Sequence, residues 1–72
     1  MRKLETYLKQ VGRNLKAARV RRGYRQQDIE ELIGLNNRHY QSIEGGKVNV
    51  RIGTLRDLAK LFKTTVEELV KE

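Results

Sequence analysis

Residues 26–44 have the sequence QQDIEELIGLNNRHYQSIE, and this stretch decides the fold of the chain. Its first part, 26–33, places apolar residues at the i, i+3 and i+4 spacing of one helix face: Ile29, Leu32 and Ile33. Gly34 follows where a helix can end, because glycine adopts the left-handed conformation without a Cβ penalty. Asn36 can then accept a hydrogen bond from a free N–H of a second helix, 37–44. The pattern predicts two short helices joined by a tight turn.

The second of these helices has only two apolar residues, Tyr40 and Ile43, which we expect to face the core. Leu35, just before the cap, can pack against Tyr40 and fix the direction in which the chain enters the helix. The open side carries polar groups, from Asn37, Arg38, Gln41 and Ser42. A helix held by a thin apolar stripe, with amide and guanidinium groups outward, fits the major groove of DNA.

Further helices are predicted on both sides of this unit. Apolar residues recur every three or four positions and predict a first helix over about 3–22: Leu4, Leu8, Val11, Leu15 and Ala18. Gly23 ends this helix, and Tyr24 is placed for the apolar contact that often follows a glycine cap. Gly12 inside it indicates either a close helix–helix contact or the true start of the ordered domain.

After Gly45 and Gly46, which must end the second motif helix, a polar loop leads into a fourth helix over about 52–62. Its expected buried residues are Ile52, Leu55, Leu58, Ala59 and Phe62. Thr65-x-x-Glu68 is the signature of a capped last helix that ends near Val70. We therefore predict an all-α fold, a compact five-helix bundle. Residues 1–10 would extend the first helix, and 11–72 would form the domain.

Composition limits the classes of function that the chain can have. The net charge is +7, and the segment 6–27 has seven basic residues and no acidic one, so we expect an anionic partner. With no cysteine, the chain has no disulfide and no thiolate metal site, which fits a reducing cytoplasm. No apolar run is long enough for a membrane span.

His39 is the only histidine, and no second ligand stands within helical reach, so we expect neither a metal nor another cofactor. No spacing suggests a general acid–base pair, and the chain is too small for a deep pocket, so an enzyme or a small-molecule substrate is not expected.

Several spaced residues together resemble the phage repressor/Cro (XRE-type) helix-turn-helix family. They are Arg19-x-x-x-Gly23, Gln26, Gly34-Leu35, Ile43-Glu44-x-Gly46 and Leu55-x-x-Leu58-Ala59. The resemblance covers about 11–69 and implies a lambda-repressor-like DNA-binding domain. The helix that matches 37–44 would enter the major groove, and dimers would bind two half-sites about one helical turn apart.

The resemblance also implies roles for individual residues. Base edges would be contacted by Asn37, Arg38 and Ser42, with Gln41 beside them. Phosphates would be contacted by Gln26, Asn36, His39 and the loop 47–51, which includes Lys47 and Asn49. Arg19 and Glu44 match a structural pair that joins the first and third helices. Of the base contacts, Arg38 fits guanine best, because its guanidinium matches the O6/N7 pair, and Asn37 fits adenine.

Three residues depart from the family pattern. Glu30 replaces a small alanine, so either the helices splay or its carboxylate reaches solvent or a basic neighbour. Arg25 and Arg51 stand where a serine- or threonine-type cap is usual. Arginine cannot accept a capping hydrogen bond, and its charge opposes the helix dipole, which costs roughly 1 kcal/mol or more at each site. We interpret both arginines as phosphate contacts, with two tolerated surface arginines as the alternative.

These observations predict a sequence-specific regulator of transcription that binds double-stranded DNA as a homodimer on a near-palindromic operator, either as a repressor or as an activator. The dimer surface would be the last helix, 66–70, with the loop before it and a contribution from Tyr7 and residues 1–10. The chain is also similar to the short controller proteins of restriction–modification systems, because their loop before the fourth helix often resembles Asn49-Val50. A domain of a longer repressor and an antitoxin-type module that also binds a protein are alternatives. Binding to a membrane or to RNA is disfavoured, because the apolar side of the first helix is needed for the core and only Tyr7 is a candidate stacking residue.

Overall fold

The computed structural model describes residues 3–72, which form five helices and no strand. The helices are α1 (Leu4–Arg21), α2 (Asp28–Ile33), α3 (Asn37–Glu44), α4 (Ile52–Leu61) and α5 (Val66–Val70). The all-α prediction is confirmed, and α3 has the predicted bounds. Residues 4–10 of the proposed N-terminal extension belong to α1, whereas Met1 and Arg2 lie outside the described residues. No described helix is long and apolar enough to cross a membrane.

Two glycines end the helices of the central motif. Gly34 has a φ of 74° and donates its N–H to the Glu30 carbonyl, 2.9 Å away. Gly46 has a φ of 70°, and its N–H bonds the Ile43 carbonyl while the next N–H, of Lys47, bonds the Ser42 carbonyl. This pair of bonds satisfies carbonyl groups that α3 leaves free at its end. Both turns therefore follow from local backbone chemistry.

All five helices contribute buried residues to the core. α1 packs against α3 and against α5, and α5 also contacts α4. The buried apolar residues are Leu15, Ala18, Ile29, Tyr40, Ile43, Leu55, Leu58, Ala59, Phe62 and Leu69. Tyr24 packs against this cluster as expected, with its ring centroid 6.2 Å from that of Phe62.

Gly12 marks a close contact between two helices. A Cβ built on it would overlap the carbonyl oxygen of Glu44 and lie 2.8 Å from the carbonyl carbon. Since both are backbone atoms of the last residue of α3, they cannot turn away as a side chain can. Gly46 packs in the same way against the backbone of Lys9. The two glycines let α1 lie directly along the end of α3.

Three apolar residues that we expected on buried faces are exposed. Leu4 is 60% exposed, Ile52 is 66% exposed and Leu32 is 48% exposed. Leu4 and Ile52 are the first residues of α1 and α4. The helical spacing continues to each of them, but the bundle does not extend that far. Ile29, rather than Leu32, is the buried anchor of α2.

The last helix is held by one predicted and one unpredicted contact. Thr65 accepts a hydrogen bond from the Glu68 N–H at 3.1 Å, which confirms the expected cap. Asn14 of α1 donates its side-chain amide to the carbonyl oxygens of Leu69 and Lys71, at 2.9 and 2.8 Å. These carbonyls at the end of α5 would otherwise lack a partner within the helix. Asn14 therefore ties the C-terminal end of α5 to α1.

Candidate nucleic-acid interface

Two side chains, one from the turn before α3 and one from α2, accept two of the N-terminal N–H groups of α3. Asn36 accepts the N–H of His39 at 3.0 Å, so the predicted cap is confirmed. Glu30 of α2 accepts the N–H of Asn37, also at 3.0 Å. Its carboxylate is exposed, so it does not cause the burial problem that replacement of a small residue suggested. The polar group that Glu30 reaches is a backbone N–H rather than a basic neighbour.

The two sides of α3 differ sharply in burial. Tyr40 is fully buried and Ile43 is 2% exposed, whereas Arg38, His39 and Gln41 are exposed. Ser42 is half-buried. The structure thus places Arg38 and Gln41, two of the four expected base-contacting residues, on the open surface of one short helix.

Asn37 is oriented differently from our expectation. It is half-buried, and its Oδ1 is enclosed without a hydrogen-bond partner among the described residues. A bidentate contact with adenine needs both amide atoms of the side chain. Asn37 would have to rotate to present both of them to a base.

A buried polar cluster lies beneath α3. Arg19 of α1 donates to both carboxylate oxygens of Glu44, at 2.6 and 3.2 Å, and also to the Tyr24 carbonyl at 2.7 Å. The side chains of the pair are only 9% and 4% exposed. A bidentate arginine–carboxylate contact fixes geometry in two directions. It holds the C-terminal end of α3 to α1 and faces away from the open surface.

The charges of this cluster shift its pKa values. The hydrogen bond to Glu44 raises the pKa of Arg19. Burial alone would raise the pKa of Glu44, but its contacts with Arg19, Tyr40 and Gln26 lower it below the ordinary value. Burial, followed by the nearby Glu44 carboxylate, raises the pKa of Tyr40. The Tyr40 hydroxyl lies beside Arg19 and Glu44 but makes no hydrogen bond with a described residue.

Gln26, expected to anchor a phosphate, is partly engaged in the same cluster. Its side-chain amide donates to Glu44 Oε1 at 3.0 Å, and the residue is half-buried. An amide nitrogen carries two N–H groups, so one of them can still reach an anion. Sequence patterns did not indicate the contact with Glu44, because 18 residues separate the two side chains.

Asp28 provides Arg25 with contacts that the sequence analysis did not predict. Asp28 accepts the backbone N–H of Arg25 at 2.7 Å and pairs with the Arg25 guanidinium at 3.1 Å. These contacts satisfy the Arg25 N–H in the turn before α2 and offset the charge of the guanidinium. The backbone hydrogen bond, followed by the guanidinium, lowers the pKa of Asp28. The contacts with Asp28 therefore offset part of the cost that the local sequence predicts at Arg25. Asp28, an acid three residues after Arg25, was the signal in the sequence for these contacts.

The start of α2 differs slightly from the prediction. The sequence predicts a helix from about Gln26, and α2 begins at Asp28. The N–H groups of Asp28 and Ile29 instead bond the carbonyls of Arg25 and Gln26, which makes a tight turn before the helix. The Arg25 side chain remains 71% exposed.

The loop 47–51 alternates between outward and inward residues. Lys47, Asn49 and Arg51 are exposed, whereas Val48 and Val50 are partly buried and pack against the core. Arg51 is the N-cap of α4 and makes no side-chain capping bond, as its chemistry predicted. The alternation exposes two cations and one amide on a short loop that Val48 and Val50 anchor to the core.

A family model described as helix-turn-helix matches residues 15–69, which include α2, α3 and α4 entirely. No curated protein and no solved structure matches the chain. Among the described residues, no group of three or more histidines and acidic residues could hold a metal ion.

Proposed function

The chain belongs to the phage repressor/Cro-like (XRE-type) helix-turn-helix family and is a DNA-binding regulator of that kind, and we propose that it recognises a specific duplex sequence through α3. It acts as a homodimer on a near-palindromic operator. In this family the second helix of the motif lies in the major groove, and the twofold symmetry of the dimer matches that of the site.

The observation that carries the proposal is the contrast between the two sides of α3. Its inner side is anchored by buried Tyr40 and by the Arg19–Glu44 pair, while Arg38 and Gln41 remain on its open side. Such a helix is rigidly held yet leaves long polar side chains free to contact base edges. Net charge +7 adds a long-range attraction to the duplex.

We assign base contacts to Arg38, Gln41, Ser42 and, after rotation of its side chain, Asn37. Arg38 contacts a guanine, because a guanidinium matches the O6/N7 acceptor pair. Phosphate contacts come from the start of the motif, the first turn of α3 and the following loop: Arg25, Gln26, Asn36, His39, Lys47, Asn49 and Arg51. Such contacts fix the register of the protein on the duplex without selecting its sequence.

Energetics and exposed apolar residues support the proposed homodimer. One small domain on one half-site binds weakly, whereas linking two binding events raises the effective affinity. Val70 of α5 and, in the first turns of α1, Leu4 and Tyr7 expose apolar side chains. We propose α5, 66–70, as the centre of the dimer surface, with the start of α1 beside it.

Selection of bound sites from random duplexes at physiological ionic strength tests this function. We expect an enriched half-site, repeated in inverted orientation with a spacing of about 10 base pairs between half-site centres. The enriched duplex should bind at least about 1,000-fold more tightly than an unrelated one. A pool that stays unenriched while still binding would identify a general polyanion-binding protein and refute the proposal.

A further inference from the structure

Glu30 belongs to α2 but contacts α3. Its Oε1 accepts the backbone N–H of Asn37, the first residue of α3, at 3.0 Å. The first N–H groups of a helix have no partner within it, so this bond satisfies one of them. It also places a negative charge at the positive end of the helix dipole.

This bond links the N-terminal end of α3 to the preceding helix. The other cap, Asn36, directly precedes α3 in the chain and so cannot fix that end relative to α2. At the opposite end, α3 is held by the Arg19–Glu44 pair and by the close contact with Gly12. Among the described residues, Glu30 provides the side-chain hydrogen bond from α2 to the first turn of α3.

We propose that Glu30 is a positioning residue for DNA recognition, which acts through the Asn37 N–H to set the orientation of the first turn of α3 and of Arg38. The inference rests on the proposed function, since it assumes that α3 contacts base edges. Bidentate contacts depend steeply on distance and angle, so a displacement of about 1 Å in this turn is enough to weaken one. Loss of the Glu30 bond should therefore reduce discrimination between sequences.

The charge of Glu30 has to be separated from its hydrogen bond. Removing any exposed acid near the interface raises affinity for every duplex, because the acid repels phosphates. Glu31 is the matched control, since it is the neighbouring exposed acid on α2 and makes no side-chain hydrogen bond or ion pair with a described residue. Removal of the charge changes the affinities for the selected and the unrelated duplex alike, so the ratio of the two affinities is not affected by it.

The experiment compares the wild type with E30A, E30Q and E31A on the selected duplex and on an unrelated duplex. E30A should lower the specificity ratio about tenfold, which is the scale of one bidentate base contact. E30Q keeps a carbonyl oxygen that can accept the Asn37 N–H, so its ratio should stay within about twofold of wild type. E31A should leave the ratio unchanged. Without DNA, amide hydrogen exchange at Asn37 should be faster in E30A than in E30Q.

Each result has a definite meaning. Equal specificity ratios for E30A and E31A would overturn the positioning role, and so would a loss in E30Q as large as that in E30A. Unchanged exchange at Asn37 in E30A would show that the bond is not maintained in solution. If the wild type itself preferred no duplex, the proposed function would fail before any variant was compared. That outcome is distinct from failure of the positioning role alone.

Discussion

At the level of single residues, Gly12 is where the backbones of α1 and α3 come closest. A Cβ at this position would overlap backbone atoms of Glu44, which cannot move without shifting α3. Gly12→Ala should therefore lower the free energy of unfolding by about 1–3 kcal/mol, as overpacking in a tight site does. Urea denaturation monitored by circular dichroism measures the change.

Gly53 provides the matched control for this substitution. It lies in α4, and a Cβ there would meet no atom within 4 Å. Gly53→Ala should raise the free energy of unfolding by about 0.4–1 kcal/mol, because alanine has less backbone freedom to lose. Equal effects of the two substitutions would contradict the close contact between α1 and α3.

Glu44 gives the fold a pH dependence of definite sign. Its pKa in the folded protein lies below the ordinary value of 4.5, because contacts with Arg19, Tyr40 and Gln26 outweigh the effect of burial. A carboxyl with a lowered pKa stabilises the folded state above its ordinary pKa and loses this contribution as the pH falls through the lowered value. We expect the free energy of unfolding to decrease as the pH falls below about 4.5, more steeply in wild type than in Glu44→Gln.

At neutral pH, Glu44→Gln should lower the free energy of unfolding by about 3 kcal/mol, since it leaves the buried Arg19 guanidinium without a counter-charge. Asp28→Asn is the comparison, because the pKa of Asp28 is also lowered but its carboxylate lies at the surface. Asp28→Asn should keep most of the acid sensitivity. Identical acid profiles for wild type and Glu44→Gln would rule out the pair as its source.

At the level of elements, the start of α2 combines an exposed arginine with an N-terminal turn. If Arg25 contacts a phosphate, Arg25→Ala should reduce the slope of log affinity against log salt by about one unit and leave sequence preference intact. The slope is measured by fluorescence anisotropy with a labelled duplex.

Lys71→Ala is the control for Arg25→Ala. Lys71 also pairs with an acid three residues away, Glu68 at 3.4 Å, but it follows α5, which packs on α1 and α4. Its removal changes the net charge by the same amount and should leave the slope unchanged. Equal slopes for wild type and Arg25→Ala would remove Arg25 from the interface.

Helix ends were predictable because the residues that set them act locally. Asn36 and Thr65 cap their helices, and Gly34 and Gly46 end theirs, each through bonds to atoms a few positions away. The start of α2 differs from the prediction because the carbonyls of Arg25 and Gln26 accept N–H groups three residues later, which forms a tight turn before the helix.

Contacts between helices were not predictable in the same way. Periodicity placed Leu4 and Ile52 on apolar faces, but it contains no information on where the neighbouring helices stop. The bonds of Glu30 to α3 and of Asn14 to α5 depend on tertiary packing. The candidate site also combines local features that could be predicted with tertiary features that could not. The polarity of the Arg38 side of α3 could be predicted, whereas the enclosed oxygen of Asn37 could not.

At the level of the whole molecule, homodimerisation is the main expectation. Val70→Glu places a charge on the exposed apolar part of α5 and should raise the dimer dissociation constant at least about tenfold, because an unpaired charge at an apolar contact is strongly unfavourable. Sedimentation velocity over a concentration series measures it. Val20→Glu, on an exposed position of α1, is the control and should leave the dimer intact. A monomeric wild type at micromolar concentration would contradict the proposed assembly.

Selection from random duplexes, run in parallel with wild type and Arg38→Ala, tests most directly whether the open side of α3 contacts bases. We predict that wild type enriches a half-site containing a guanine. Arg38→Ala should lose the preference at that one position and keep it at the others, with a penalty for the wrong base that falls by about 1–3 kcal/mol. Identical enriched sites from the two proteins, or a preference lost evenly at every position, would contradict the account.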